Sequence, residues 1–231
     1  MGVRVARKKK HQVAVLTADI IQSTRYSRLE RQRLNRALLK AFDEVVRRYP
    51  KAVHTRLAFR ITAGDEFQCV FSDIAKTFEI LTYLRATLAT TSGLEPIVRF
   101  RASIGVGEIS VAGRSSPYEE DGEAFAHARR GLEQLEKGRH NRWTKIVTGQ
   151  AELDSTADVV LTLLDCLEQG WTVPQWEAVR WSLLELTREE ISKKLKVRHQ
   201  NVSKRLSAAG WHQFRLASKF LGDLLGRASN P

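Results

Sequence analysis

The sequence predicts an α+β fold: a ferredoxin-like palm with helices packed on one face of a sheet, followed by a small all-α half that contains a helix-turn-helix. Three observations carry this prediction. Strand-type and helix-type apolar patterns alternate in the order β, α, β, β, α, β, α, β up to about Gly149. From about Leu153 onward every apolar pattern has helical period, interrupted at Gly170 to Pro174, Lys196 to His199 and Gly210. The change of regime falls at Gly149 to Thr156, which sets the expected organisation as a basic arm over 1–10, a palm over 11–150 and a helical domain over 155–231.

Each element has its own reason. "QVAVLTADI" is continuous in apolar and β-branched residues and reads as a buried strand ending at Asp19. A helix is expected from about Ser23 to Arg48, where Leu29, Leu34, Leu38, Leu39, Phe42 and Val46 recur at helical spacing and Arg25, Arg28, Arg31, Arg33 and Arg36 make the outer surface strongly basic. The runs "AVHTRLAFRIT" and "FQCVF" read as two strands joined at "AGDE", with Gly64 suited to positive φ. Ser72 or Asp73 caps the helix "IAKTFEILTYLRATLA". "IVRFRASIGVGEISV" is a strand through about Gly107, the loop "AGRSSPYEEDG" follows, "EAFAHARRGLEQLEKG" is an amphipathic helix closed by Gly138, and "RWTKIVTG" is a last strand.

The 231 residues carry 38 Lys+Arg against 26 Asp+Glu, a formal net charge of +12, which favours polyanionic partners such as nucleic acid or nucleotides. Two cysteines form no disulfide framework; Cys69 and Cys166 both lie in apolar patterns and are expected to be buried, reduced thiols of a cytoplasmic protein. No signal peptide is expected, because the apolar run after "MGVRVARKKKH" is too short, and no window approaches a membrane span. The arm Arg4 to Lys10 reads as a solvated tail.

The chemistry sits on acids. Asp19 ends a strand and opens a segment, Ile20 to Thr24, whose backbone N–H groups and Ser23 and Thr24 hydroxyls can cradle phosphates. Asp65 sits in the Gly-Asp-Glu turn, and two carboxylates converging from neighbouring strands are what a Mg²⁺ or Mn²⁺ ion bridging phosphates requires. Singly, Asp19 also reads as a helix cap and Asp65 as a turn residue; jointly they point to a metal site. Glu66 is a spare acid, expected to face away from Asp65 if both are extended.

"AVLTADIIQSTR", "AGDEFQCVF", "RASIGVGEIS" and "DGEAFAHARRGLE", in that order over residues 13 to 135, resemble the SatD family. More remotely they resemble the catalytic domains of class III nucleotidyl cyclases and GGDEF diguanylate cyclases. The resemblance implies a palm-type, nucleotide cyclase-like fold, with Asp19 and Asp65 as metal ligands and Ile20, Ile21, Ser23 and Thr24 along the phosphates of a nucleoside triphosphate. It also implies a catalytic role for Arg130, which falls on the cyclase pattern G..VN.A.R with Gly122, Phe125 and Ala128. Two positions depart from that pattern. The Asn is Ala126, and the base-selecting Lys is Ile61, with Arg60 beside it as the candidate nucleotide contact, so any cyclase activity is expected to be weak or degenerate. Arg129 and Arg130 equally suit a solvated helix face, and His127 reads as a surface residue.

"LTREEISKKLKVRHQNVSKRLSAAGW" has helix-turn-helix spacing over about 187–210: Thr187 with Glu190 is a capping box, Ile191, Leu195, Val197, Val202 and Leu206 face inward, and His199, Gln200, Asn201, Ser203, Lys204 and Arg205 face outward. It resembles the helix-turn-helix of sigma-factor-type regulators. Gln200, Asn201 and Ser203 are the candidates for base contacts, and Lys204 and Arg205, with Lys193 and Lys194, for phosphates. Trp176, Trp181, Trp211 and Phe214 read as core.

Taken together these readings give a DNA-binding regulator with a cyclase-like domain that senses a nucleotide and metal. The alternatives are a metal-dependent nucleotidyl cyclase or nucleotidyltransferase, and a metal-free palm that serves as a homodimerisation scaffold.

Overall fold

The computed structural model describes residues 12–55, 57–63, 65–111, 120–138 and 142–228; the basic arm at 1–10, Gly64 and most of the 112–122 loop lie outside them. At the centre is the first strand, β1 (Gln12–Ile20), hydrogen-bonded on both sides. Around it the sheet runs β2 (Arg60–Ala63), β3 (Glu66–Phe71), β1, β4 (Phe100–Glu108), β7 (Thr144–Val147), and only the last pair is parallel. The first four strands, with helices α1 (Arg28–Arg48) and α2 (Thr77–Thr91), form the ferredoxin-like order. Strands β5 (Ser110–Val111) and β6 (Glu120–Asp121) make a small separate ladder before α3 (Glu123–Lys137).

Period-2 alternation along β1 divides the core. Ala14, Leu16, Ala18 and Ile20 pack with Leu34, Leu38 and Phe42 of α1 and Ile80, Leu81 and Leu84 of α2, whereas Val13 and Val15 pack with Ala124 and Ala128 of α3. The expected arrangement, all helices on one face, therefore holds for α1 and α2 and fails for α3, which crosses between the parallel strands β4 and β7 on the opposite face. Glycines make that crossing close: a Cβ on Gly105 would lie 2.2 Å from the Ala124 carbonyl oxygen, and one on Gly131 would lie 2.1 Å from Ser103 Oγ.

Two expected elements are shorter than their patterns. The strand over 52–62 forms a regular ladder only from Arg60; earlier residues meet β3 at separate points, the Val53 to Phe71 bridge, the His54 amide on the Val70 carbonyl at 2.8 Å and the Val70 amide on the Leu57 carbonyl at 2.9 Å, and Phe59 stacks on Phe42 at 4.5 Å. The helix expected from Ser23 begins at Arg28, because Gln22 adopts a left-handed conformation (φ 59°), Ser23–Arg25 forms one 3-10 turn, and Ser27 with Glu30 caps α1 afresh.

The helical half comprises α4 (Ala151–Gln169), α5 (Val173–Leu183), α6 (Arg188–Leu195), α7 (His199–Ala208) and α8 (Trp211–Ala228). It packs on α2, which is buried nearly all round, covered by the sheet and α1 on one side and by α5 and α8 on the other. Charged groups cross this junction. Buried Arg85 of α2 donates to Glu168 Oε2 of α4 at 2.7 Å and to Thr144 Oγ1 at 2.9 Å, and Arg180 of α5 holds both oxygens of Glu44 of α1 at 2.8 Å. Trp176, Trp211 and Phe214 are buried as expected, whereas Trp181 is half-buried. Cys69 is buried but Cys166 is exposed, contrary to expectation, because it lies on the side of α4 opposite the buried Ala157, Leu161 and Leu164. No helix among the described residues is long and apolar enough to cross a membrane.

Candidate functional site

Asp19 is the last residue but one of β1, and its antiparallel neighbours in register are Glu66 on β3 and Arg101 on β4. Directly paired residues share a face of a sheet, so these three side chains stand on the α3 side. Two residues earlier on that face, Thr17 pairs with Gln68 and with Ser103. Gln68 Nε2 donates to Thr17 Oγ1 at 3.0 Å, and an Arg60 guanidinium nitrogen donates to Gln68 Oε1 at 3.1 Å. A polar row therefore runs across the end of the sheet, past α3, from Arg60 to Thr17 with the acids beside it.

Asp65 joins this row from the turn between β2 and β3. It is not extended, so the alternation that would separate it from Glu66 does not apply, and both acids act on Asp19. The Asp19 carboxyl is pushed up to about 7, first by burial, then by the charge of Asp65 and a side-chain hydrogen bond with it, then by Glu136 and Glu66.

That arrangement fits a hard divalent cation. Among the described residues there is no group of three or more His, Cys, Asp or Glu side chains gathered as a metal cage. A carboxylate pair is nevertheless the donor set suited to Mg²⁺ or Mn²⁺, which keeps several waters and takes its remaining oxygens from phosphates. A cation between Asp19 and Asp65 would relieve the repulsion among the four acids.

The phosphate-facing segment differs from its expected form. Ile20 is buried in β1, and the Ile21 amide donates to the Arg99 carbonyl at 2.9 Å, so the Ile21 N–H is taken. The amides of Arg25 and Tyr26 close the 3-10 turn on Gln22 and Ser23, and the N-terminus of α1 is occupied by its own capping box. Within this turn Ser23 is half-buried and Thr24 exposed.

Arg130 does not join the acids within one chain. It is exposed on the outer face of α3, with Ala126 one turn before it, while Ala124, Ala128, Gly131, Leu132 and Leu135 face the sheet. His127, expected at the surface, is buried instead, its Nδ1 2.8 Å from the Val106 carbonyl. Sequence reasoning missed Thr17, Gln68, Arg101 and Glu136. Thr17 and Gln68 carry a signal, being polar positions in otherwise apolar strands; Glu136 carries none, because only the packing of α3 brings it near Asp19.

In the helical half, Ile191, Val202 and Leu206 are buried, and α6 and α7 are joined through Lys196 in a left-handed conformation (φ 52°). Gln200, Asn201 and Lys204 are exposed and Ser203 is half-buried. Arg205 is held by Glu177 of α5 at 3.0 Å, and the Lys194 ammonium sits 4.7 Å above the Trp181 ring. These two cations are tied to the protein's own surface, unlike Lys204.

The SatD family profile matches residues 13–221. Among curated proteins none matches the chain. Solved structures similar to it include the catalytic core of a rhodopsin-guanylyl cyclase with converted specificity in complex with ATPαS (18% identity, 59% of this chain and 77% of that one, TM-score 0.41). Another is the non-canonical dimeric guanylyl cyclase domain of the RhoGC fusion protein from the aquatic fungus Blastocladiella emersonii (18% identity, 61% and 81%, TM-score 0.42). A third is a bacterial light-regulated adenylyl cyclase (14% identity, 62% and 44%, TM-score 0.37).

Proposed function

We propose, for this chain, which belongs to the SatD family, that the end of its central sheet binds a nucleotide together with Mg²⁺ or Mn²⁺. The observation that carries this reading is the acid cluster at the end of the sheet, where Glu66 stands directly across the strand from Asp19 and Asp65 and Glu136 lie close enough for their charges to raise the Asp19 carboxyl. Such a cluster is unfavourable without a counter-charge, and a divalent cation with its phosphates supplies one. The bound cation would neutralise the phosphate charge and polarise a phosphoryl oxygen. Asp19 and Asp65 would hold it, Ser23 and Thr24 would meet the phosphates, and Arg60, fixed by Gln68, would face the remainder of the nucleotide.

Binding is better supported than turnover. Ala126 cannot hydrogen-bond a ribose, and Arg130 points away from the acids of its own chain, so nucleotidyl transfer would need Arg130 from a second copy. Calorimetry with Mn²⁺ and each nucleoside triphosphate tests binding. Mass spectrometry of the same mixtures tests nucleotidyl transfer. Saturable binding lost in Asp65→Asn supports the reading; absence of metal and nucleotide binding would leave the palm as a scaffold.

A second reading concerns the helical half: α7 contacts DNA through Gln200, Asn201 and Lys204. It is favoured by the capped α6, the buried Ile191, Val202 and Leu206 and the outward amides of α7, together with a basic outer face of α1 on which Arg28, Arg31, Arg33, Arg36 and Lys40 are exposed. Salt-dependent retention of DNA is the expected result, and its absence would remove this reading.

A further inference from the structure

Four of the seven exposed large hydrophobic side chains among the described residues belong to one pair of helices: Val159 (64% exposed) and Leu163 (65%) on α4, Leu216 (67%) and Phe220 (45%) on α8. On each helix they stand one turn apart on the side opposite the buried residues, which are Ala157, Leu161 and Leu164 on α4 and Phe214, Leu221 and Leu225 on α8. The helices are antiparallel neighbours. Gln150 Nε2 donates to the Ala228 carbonyl at 3.4 Å at one end, and Trp171 Nε1 donates to the Ala209 carbonyl at 2.8 Å at the other. Counting inward from both ends at about 1.5 Å per residue places Val159 level with Phe220 and Leu163 level with Leu216 to within a turn. The outward surface of the pair is therefore a continuous apolar strip.

The charges flanking the strip are divided between the helices. α4 contains no Lys or Arg, and its exposed first turn carries Glu152; α8 carries Arg215, Lys219 and Arg227 with one acid, Asp223. By the same count Glu152 stands level with Arg227. The arm of this chain, "MGVRVARKKKH", is too cationic to cover an apolar strip. A second copy of the strip fits it. A two-fold axis parallel to the helices lays α4 of one chain on α8 of the other, leucine on leucine and valine on phenylalanine, with Glu152 opposite Arg227. Rotation about the perpendicular axis would lay α4 on α4 and α8 on α8 and oppose like charges.

We propose that the outward face of α4 and α8 is a homodimer interface, closed as an antiparallel four-helix arrangement with Val159, Leu163, Leu216 and Phe220 at its centre. Two helices of this length present a footprint on the order of 500 Å² per copy, which lies at the small end of specific interfaces. The interface is separate from the acid site and does not rest on that site's proposed function.

Sedimentation equilibrium of the full chain across the micromolar range tests it. A monomer–dimer equilibrium is expected, with the dissociation constant raised on the order of tenfold or more in Leu163→Asp with Leu216→Asp and with an unchanged circular dichroism spectrum. A charge exchange fixes the arrangement: Glu152→Arg weakens the dimer and Glu152→Arg with Arg227→Glu restores it. A wild type that stays monomeric throughout the range overturns the proposal. So does a dimer indifferent to both leucine substitutions.

Discussion

Glu66 stands directly across the strand from Asp19 near the end of β1, and Asp65, in the turn between β2 and β3, adds its charge to the same spot and helps push the Asp19 carboxyl up. Three acids meeting at a sheet end destabilise the metal-free fold locally. Removing one should help the protein without cation and harm it with cation. Asp65→Asn is expected to raise the thermal midpoint in chelator-treated buffer, while Mn²⁺ raises the midpoint of the wild type and leaves the variant unmoved. Differential scanning calorimetry with and without Mn²⁺ measures both arms, and a variant that still responds to Mn²⁺ would place the cation elsewhere.

Arg85 and Glu168 form a second prediction. Both side chains are almost fully buried at 2.7 Å, where removing one partner leaves the other charge without compensation. Glu168→Ala should cost about 3–5 kcal/mol, and replacing both residues by apolar ones of similar volume should recover most of that loss. Urea unfolding of the single and double variants is the measurement.

Glu168 also predicts a pH dependence. Burial pushes its carboxyl up to about 7 against the pull of Arg85, above the ordinary value of 4.5 that it regains on unfolding. Between these values the folded state binds more proton than the unfolded state. The contribution to stability is thus fully present below about 4.5 and lost as pH rises through about 7. The expected signature is a downward slope of unfolding free energy in that window, reduced in Glu168→Gln, followed by urea titration at successive pH values.

Close backbone approach makes Gly105 intolerant. A methyl group there would meet the Ala124 carbonyl and the Ala128 amide, both backbone atoms that cannot swing aside. Gly105→Ala should therefore cost at least the roughly 1–3 kcal/mol typical of overpacking, read as a lower denaturation midpoint, and should loosen α3 in hydrogen exchange.

For DNA, the structure separates two neighbouring cations. Lys204 is exposed, and Lys204→Ala should lower the slope of log affinity against log salt by about 1. Arg205 is paired with Glu177, so Arg205→Ala should leave that slope unchanged and slightly lower stability. Fluorescence anisotropy at several salt concentrations distinguishes the two.

Much of this was legible beforehand. The continuous apolar run of β1, the strand pattern of β4, the capping residues Asp73 and Thr187 and the inward set Ile191, Val202 and Leu206 are local patterns, and local patterns survive folding because they depend on backbone geometry alone. The carboxyl pair was legible as two candidates, each at a strand end or turn. What the pattern could not carry was anything set by a distant neighbour. His127 looks like a surface residue until Val106 and Gly149 close around it. The Ile21 amide looks available for phosphate until β4 begins at its side and the Arg99 carbonyl takes it.

The amino-acid sequence by itself determined the order of elements, the acidic residues at the sheet end and the surface chemistry of α7, because each follows from residue type and spacing along the chain. Only the tertiary structure decided that α3 lies on the opposite face from α1 and α2, that Glu136 adds to the charge on Asp19 while Arg130 turns outward, and that the apolar residues of α4 and α8 line up in one exposed strip. Those outcomes depend on which faces are left uncovered after the core has closed, a property of the packed whole rather than of any single segment.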